Sequence, residues 1–465
     1  MTRRDILLKT GMGFGGTALS SLLQAAATNP LAAKPPHQPA RAKSVIFLFM
    51  HGGVSHVDTF DYKPELQKHS GEGISAELAK TITTSFIHDP SKAILRGSPW
   101  EFRPGGKSGL LISDLYPNVR ERADDIAVIR SVHSNVFDHA PAIYLLNSGS
   151  QFPGRPCLGS WATYGLGSEN QNLPAFVVMS DGSTKSGPPA YGAGFLPAVY
   201  QGTVFRGGDR PILHLASPAS VSQEAQSETL AFIGELDREH LAARGVDTTL
   251  EARIAAYELA FRMQAAAPDA VDTSKESEAT KKLYGMDDEK SADFGQKCLL
   301  ARRLVERGVR FVQLYSGTNV GDDWDDAHTD LTGSHVRMAG KTDKPIAGLL
   351  KDLKARGLLD ETLVVWGGEF GRTPLAQGAN GRDHHPYGFS MWMAGAGIQG
   401  GQAIGATDDF GVHAAVDKLD PHDVNATILR LLGLDHEKLT YLYQGRDYRL
   451  TDVDGQNEFT KRLVG

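Results

Sequence analysis

The chain has 465 residues, with 48 Lys and Arg against 55 Asp and Glu, a formal net charge of −7, 8% aromatic residues and two cysteines. An acidic balance without basic blocks argues against nucleic acid and anionic membrane as partners, and two cysteines set no disulfide framework. A chain of this length buries a large apolar core and reads as globular α/β, with an oligomeric state that composition leaves open.

The first thirty residues read as an address. Arg3 and Arg4 stand before an apolar, Gly-rich run over residues 10–27, and Ala25-Ala26-Ala27 or Leu31-Ala32-Ala33 offer cleavage points. The run is too interrupted for a membrane span of about 20 apolar residues. Paired arginines in this setting read as a Tat-type signal over residues 1–33. The expectation is an exported protein, in the periplasm or beyond, without a transmembrane anchor once the leader is removed. Residues 34–42, with Pro35, Pro36 and Pro39, read as an extended tether, and 43–465 as the folded domain.

Residues 44–50 are continuously apolar and end at His51-Gly52-Gly53, as suits a strand covered on both faces. Residues 126–129 and 175–179 repeat the pattern, and residues 142–146 read as a helix. A helix over 294–307 precedes a strand over 309–315, and one over 344–356, closed by Gly357, precedes a strand over 362–366. A last helix is expected from an Asp423 cap to Leu432. Helix–strand alternation with polar residues just past each strand predicts a mainly parallel sheet. Residues 217–292 are polar and Ala- and Glu-rich, without an obvious strand, and read as a helical insertion. Cys157 and Cys298 are far apart in the chain and form one bridge or remain two buried thiols.

Metal-capable side chains gather just beyond these strands, where an α/β protein holds its ligands. After the first strand, His51 and Asp58 are candidate ligands, Ser55 is a candidate nucleophile or anion donor, and Gly52-Gly53 offers a nest of amides. After the second, Asp138 and His139 stand at a helix entrance, and His139 is a candidate ligand or general acid–base, with capping or packing as the alternative. Asp325 and His328, three apart, can face one ion, although their acidic loop also reads as merely solvated. His335 reads as a helix-surface residue. Glu369 needs a metal or an arginine to offset burial, and Arg372 is either that partner or a grip on an anionic oxygen. His384 and His385, adjacent in an extended segment, point in opposite directions, so one ligates while the other holds a carboxylate or meets substrate. Spacing does not choose between them. The whole set points to a metal-dependent hydrolase using zinc, calcium or manganese.

Several motifs carry a resemblance. The Arg-Arg leader, the stretch from Phe49 to Asp61 with His51-Gly52-Gly53, Gly154-Arg155-Pro156-Cys157-Leu158-Gly159-Ser160-Trp161, Glu369-Phe370-Gly371-Arg372-Thr373-Pro374 and Gly445-Arg446-Asp447-Tyr448 resemble the DUF1501 family of exported bacterial proteins. The resemblance implies an alkaline phosphatase-like three-layer sandwich with a mostly parallel central sheet. It also implies divalent-metal hydrolysis of sulfate or phosphate esters, with an anionic ester or a sulfated glycan as substrate. Asp325 and His328 match its Asp-containing metal loop, and Glu369 with His384 or His385 its later ligands. Its first-strand aspartate has no match, since His51 stands at that strand end, and Asp138-His139 replace its Ser, Thr or Cys nucleophile. Asn425 stands where the family segment around His422-Asp423 has a second histidine. A non-catalytic metal- or glycan-binding member, and an exported structural protein, are the alternatives.

Overall fold

The computed structural model describes residues 29–464 except 181, 183, 209–210, 213–214, 216–219, 245–247, 318–320 and 456–457. Residues 1–28, and with them most of the expected leader, lie outside the described residues.

The apolar run Ser44–Met50 forms β1, buried along its whole length. Around it are β2 (Ile126–Val132), β3 (Phe176–Met179), β4 (Thr203–Phe205), β5 (Phe311–Ser316), β6 (Thr362–Gly367), β7 (Phe389–Ala394) and β8 (Gln402–Ile404). They pair in the order β8-β2-β7-β6-β1-β5-β3-β4. β7 is antiparallel to both β2 and β6, and every other pairing is parallel. The mostly parallel sheet expected from the sequence is therefore present. The sequence reading had no counterpart for β4, β7 or β8. β7 reads Phe-Ser-Met-Trp-Met-Ala, with no β-branched residue to mark it, while β4 and β8 are only three residues long.

The principal helices are α1 (His139–Ser148), α2 (Leu158–Leu166), α3 (Gln223–Arg244), α4 (Thr248–Val271), α5 (Ala292–Glu306), α6 (Leu331–Ala355) and α7 (Pro421–Leu431). Side chains alternate across β1 and so sort into two cores. Val45, Phe47 and Phe49 pack with Ile143 and Leu146 of α1, Trp161 of α2 and Ile428 of α7. Ile46, Leu48 and Met50 pack with Ala267 of α4, Leu299 and Leu304 of α5 and Leu349 of α6. Helices thus cover both faces, giving three layers. Cys157 lies in the first core and Cys298 in the second, on opposite sides of the sheet, and both are free thiols.

Two helix starts differ from the sequence reading. α6 begins at Leu331, capped by the Asp330 side chain accepting from Gly333 N, because Pro345 sits inside the helix instead of opening it. The longer helix turns His335 inward, so it is buried and not on the surface. α7 is capped by Asp420, and Asp423 completes a capping box from the third helical position.

The N-terminal stretch is fixed to the domain. Leu31 joins the first core, and its carbonyl accepts from Ser168 N (2.9 Å) and Gln171 Nε2 (3.1 Å). Arg41 N and Ala42 N donate to Leu431 O at 2.8 and 2.9 Å, leading the chain into β1. Among the described residues no helix is long and apolar enough to cross a membrane.

Candidate metal centre

The C-terminal ends of β1, β2, β3, β5 and β6, and the start of the reversed β7, all open on one edge of the sheet. The turn after β1 reaches the turn after β5: Trp324 N donates to His51 O at 3.2 Å, and a Cβ on Gly52 would lie 2.7 Å from Asp325 N. Only glycine fits there, at φ 112°. The short turn Trp324–His328 then presents Asp325 and His328 together. Beyond β6, the two-residue strand Gly371–Arg372 pairs with His384–His385, which feeds β7. Asp138 and His139 open α1 after β2, with no side-chain cap bond from Asp138.

One oxygen is the hub. Asp325 Oδ1 lies 2.9 Å from His139 Nε2, 3.0 Å from His384 Nε2, 3.2 Å from His328 Nε2 and 2.8 Å from Arg372 Nη2. Its other oxygen accepts from Lys185 Nζ. Burial opposes charge on Asp325, but hydrogen bonds from His139 and His328 and the Arg372 charge outweigh it, holding the carboxyl far below the usual carboxylate range. A carboxylate oxygen offers about two lone pairs, yet four nitrogens converge on this one.

The orientation of each imidazole is set from behind. His384 Nδ1 donates to Phe137 O at 2.7 Å, which leaves the lone pair of the neutral ring on Nε2. Burial, then the Arg372 charge, pushes His384 down to about 2, so the ring is neutral. Its Nε2 lone pair faces the Asp325 oxygen at 3.0 Å and lies 2.9 Å from His328 Nε2. An acceptor facing an acceptor at that range is satisfied by a cation between them. His139 Nδ1 is held 2.7 Å from Glu369 Oε1, which also accepts from Gly52 N at 2.9 Å. Burial lowers the His139 pKa, but its bonds to Asp325 and Glu369 more than reverse that and raise it. Burial likewise opposes ionisation of Glu369, and the His139 bond and charge overcome it, leaving the carboxyl lowered. Glu369 Oε2 is buried without a hydrogen-bond partner among the described residues. The Phe370 ring lies 5.0 Å from His139 and 4.5 Å from His384, an apolar floor under both.

Among the described residues two groups have ligand atoms within 4.8 Å of one another: His139, Asp325 and His384, and His328, Asp383 and His384. The neutral His384 ring and the Asp325 and Asp383 carboxylates, with fixed orientations, suit a divalent ion. Asp383 and Lys185 were missed from the sequence. Lys185 lies in the polar, Gly-rich loop beyond β3, where the strand-end rule applied to the other strands would have reached it. Its Nζ is 3.2 Å from Asp323 Oδ2 and 3.4 Å from His139 Nε2.

The other sequence candidates are placed elsewhere. Asp58 is completely buried against Arg382 (Nε–Oδ2 2.8 Å, Nη2–Oδ1 3.2 Å), and Ser55 Oγ donates to the same carboxylate at 2.5 Å. His335 Nε2 accepts from Ser55 N at 3.2 Å. His385 turns away from His384: its Nε2 donates to Val412 O at 2.5 Å and its ring stacks 5.9 Å from His56. His51 accepts from Lys185 N at 3.0 Å, beside the hub and outside both three-residue groups. Arg372 is not paired with Glu369. It donates to Gly53 O at 2.9 Å, to Gly52 O and to Asp325, so it positions the turn and the hub from a fully buried place.

The model of the family described as "Protein of unknown function (DUF1501)" matches residues 42–459. No curated protein matches the chain. Among solved structures, the chain is similar to the PsFucS1 sulfatase from Pseudoalteromonas sp. at 13% identity, covering 97% of this chain and 75% of that one, with a TM-score of 0.40. It is similar to the lipoteichoic acid synthase LtaP from Listeria monocytogenes at 10% identity, covering 92% and 79%, with a TM-score of 0.37. It is also similar to alkaline phosphatase from the Antarctic bacterium TAB5 at 11% identity, covering 79% and 95%, with a TM-score of 0.35.

Proposed function

The chain belongs to the DUF1501 family, and from the geometry of its own site we propose that it is a metal-dependent hydrolase of phosphate or sulfate esters. The observation that carries this reading is the His384 Nε2 lone pair facing Asp325 Oδ1 at 3.0 Å, with His139 and His328 converging on the same oxygen. Asp325, His139, His384 and His328 would hold the ion, with Asp383 beside them. A divalent ion there supplies Lewis acidity toward a bound water or an ester oxygen.

The rest is work for the chain's own groups. Glu369 Oε1 fixes the His139 tautomer from Nδ1, so His139 acts as a ligand in preference to a proton carrier. Lys185 brings a positive charge against the hub and offsets charge on a phosphoryl or sulfuryl oxygen. The start of α1, where Asp138 makes no side-chain cap bond, favours an anion on the same side. No hydroxyl or thiol stands at that helix entrance, so water is the attacking group. The same feature supports a second reading, metal or glycan binding without hydrolysis.

Export by the Tat route remains part of the proposal, with one refinement. Leu31 is buried and its carbonyl is doubly bonded, so we place the end of the leader before Asn29, at the Ala25-Ala26-Ala27 point. N-terminal sequencing of the exported protein should find Leu31 retained, and a chain starting at Lys34 refutes that boundary.

The function is tested by metal analysis of the natively purified protein, then by turnover of an aryl phosphate, an aryl phosphodiester and an aryl sulfate. Less than about 0.1 equivalent of every divalent metal overturns the reading. Stoichiometric metal with no turnover of any ester leaves the binding reading.

A further inference from the structure

Beside the hub is an apolar side chain that the fold leaves uncovered. Segment 82–87 carries three large apolar residues. Ile82 is buried in a small core with Val57, Leu66, Leu95 and Leu375, and Ile87 packs against that core. Phe86, between them, is 56% exposed, and its ring stands 4.6 Å from the ring of His328 and 6.2 Å from that of His384, edge-on to both.

The exposure is held in place by the site itself. Asp383 Oδ2 accepts from Phe86 N at 2.6 Å and from Ile87 N at 3.0 Å, while its Oδ1 accepts from His384 N at 2.8 Å. Thr83 N donates to Tyr387 Oη at 3.2 Å, and Thr84 Oγ1 to Ile87 O at 2.5 Å. The buried Asp383 carboxylate, one of the metal-capable groups, therefore fixes the backbone on which Phe86 is mounted. A ring held rigidly in water beside a polar cluster loses little freedom when a flat apolar face is laid on it.

We propose that Phe86 is a platform for a ring on the alcohol side of the substrate, so that the site takes ring-bearing oxyanion esters, aryl or pyranosyl, in preference to small alkyl ones. This rests on the hydrolase reading for the bond broken, but the platform itself is a binding element and can be measured without turnover. His328 and His384 mark where the oxyanion end sits, and Phe86 lies within one ring's length of them.

The experiment is calorimetric titration of the metal-containing protein with phenylphosphonate and with ethylphosphonate, neither of which has an ester bond to hydrolyse. The expected result is phenylphosphonate binding tighter than ethylphosphonate by about 5- to 10-fold in the natural protein. Phe86→Ala should erase that preference, and Phe86→Trp should keep it, at unchanged metal content and unchanged ethylphosphonate affinity. An equal preference in Phe86→Ala, or no phosphonate binding by the natural protein, overturns the platform. Ester turnover separates the two proposals. Hydrolysis with a Phe86-independent preference removes the platform alone. A Phe86-dependent preference without hydrolysis of any ester removes the hydrolase alone.

Discussion

Two polar knots, one fully and one partly buried, lie next to each other beyond β1 and β6, fed by the same stretch of chain, Arg382-Asp383-His384-His385. In the first, Asp58 meets the fork of Arg382 through both oxygens and takes the Ser55 hydroxyl as well. Its charges are matched, and Asp58, Arg382 and Ser55 are all without solvent exposure. In the second, three imidazoles, a guanidinium and a lysine crowd one Asp325 carboxylate, and one imidazole offers it a lone pair. The Asp and Arg at the centre of each do not separate them, since both use that pair. What separates them is the count of donors against acceptors: a matched knot holds the fold together, and an oversubscribed one is built around a cation.

The largest expected effect tests the second knot. Asp325→Ala should drop retained divalent metal below about 0.1 equivalent and abolish ester turnover, read by elemental analysis and a hydrolysis assay. Metal retained at the natural level in that variant would break the comparison. Next comes the first knot. Asp58→Asn leaves Arg382 charged, buried and unmatched, and should cost about 3–5 kcal/mol in denaturant unfolding while the folded fraction keeps its metal. If Asp58→Asn instead lost metal without losing stability, the two knots would have exchanged roles.

A smaller effect sharpens the division inside the second knot. Glu369→Gln keeps the shape but weakens the hold on His139 Nδ1, and should lower metal affinity about 10- to 100-fold in a chelator competition. The smallest is a pH effect next to the first knot. Burial pushes His56 down to about 4, against an ordinary value of 6.5. The unfolded chain therefore binds a proton that the folded one refuses. Stability from this group is complete above about pH 6.5 and falls toward pH 4, by about 1.4 kcal/mol per pH unit. His56→Gln should flatten that part of the stability profile of the metal-free protein. An unchanged slope would mean that other buried groups, such as His335, carry it.

Much of the frame was legible before any coordinates. Continuous apolar runs marked β1, β2, β3, β5 and β6, because a strand covered by helices on both faces has no polar side to show. The strand-end rule then pointed to Asp325, His328, Glu369, His139 and the His384–His385 pair, each at the edge of the sheet where the structure has it. It also gathered Ser55, Asp58 and Arg372, which the fold uses to hold turns and charges in place. β7 escaped because its sequence carries no β-branched residue, and α6 was cut short by Pro345, which the helix absorbs.

Local sequence sets burial rhythm and turn chemistry, since those depend on neighbours a few residues away. The amino-acid order alone therefore determined the alternating α/β layout, the edge at which chemistry would sit, and the kinds of side chain waiting there. Which of two adjacent histidines faces Asp325 was decided only by the folded chain, where Phe137 O claims His384 Nδ1 and Val412 O claims His385 Nε2. Those partners lie 247 and 27 positions away along the chain, and no local pattern records contacts of that range.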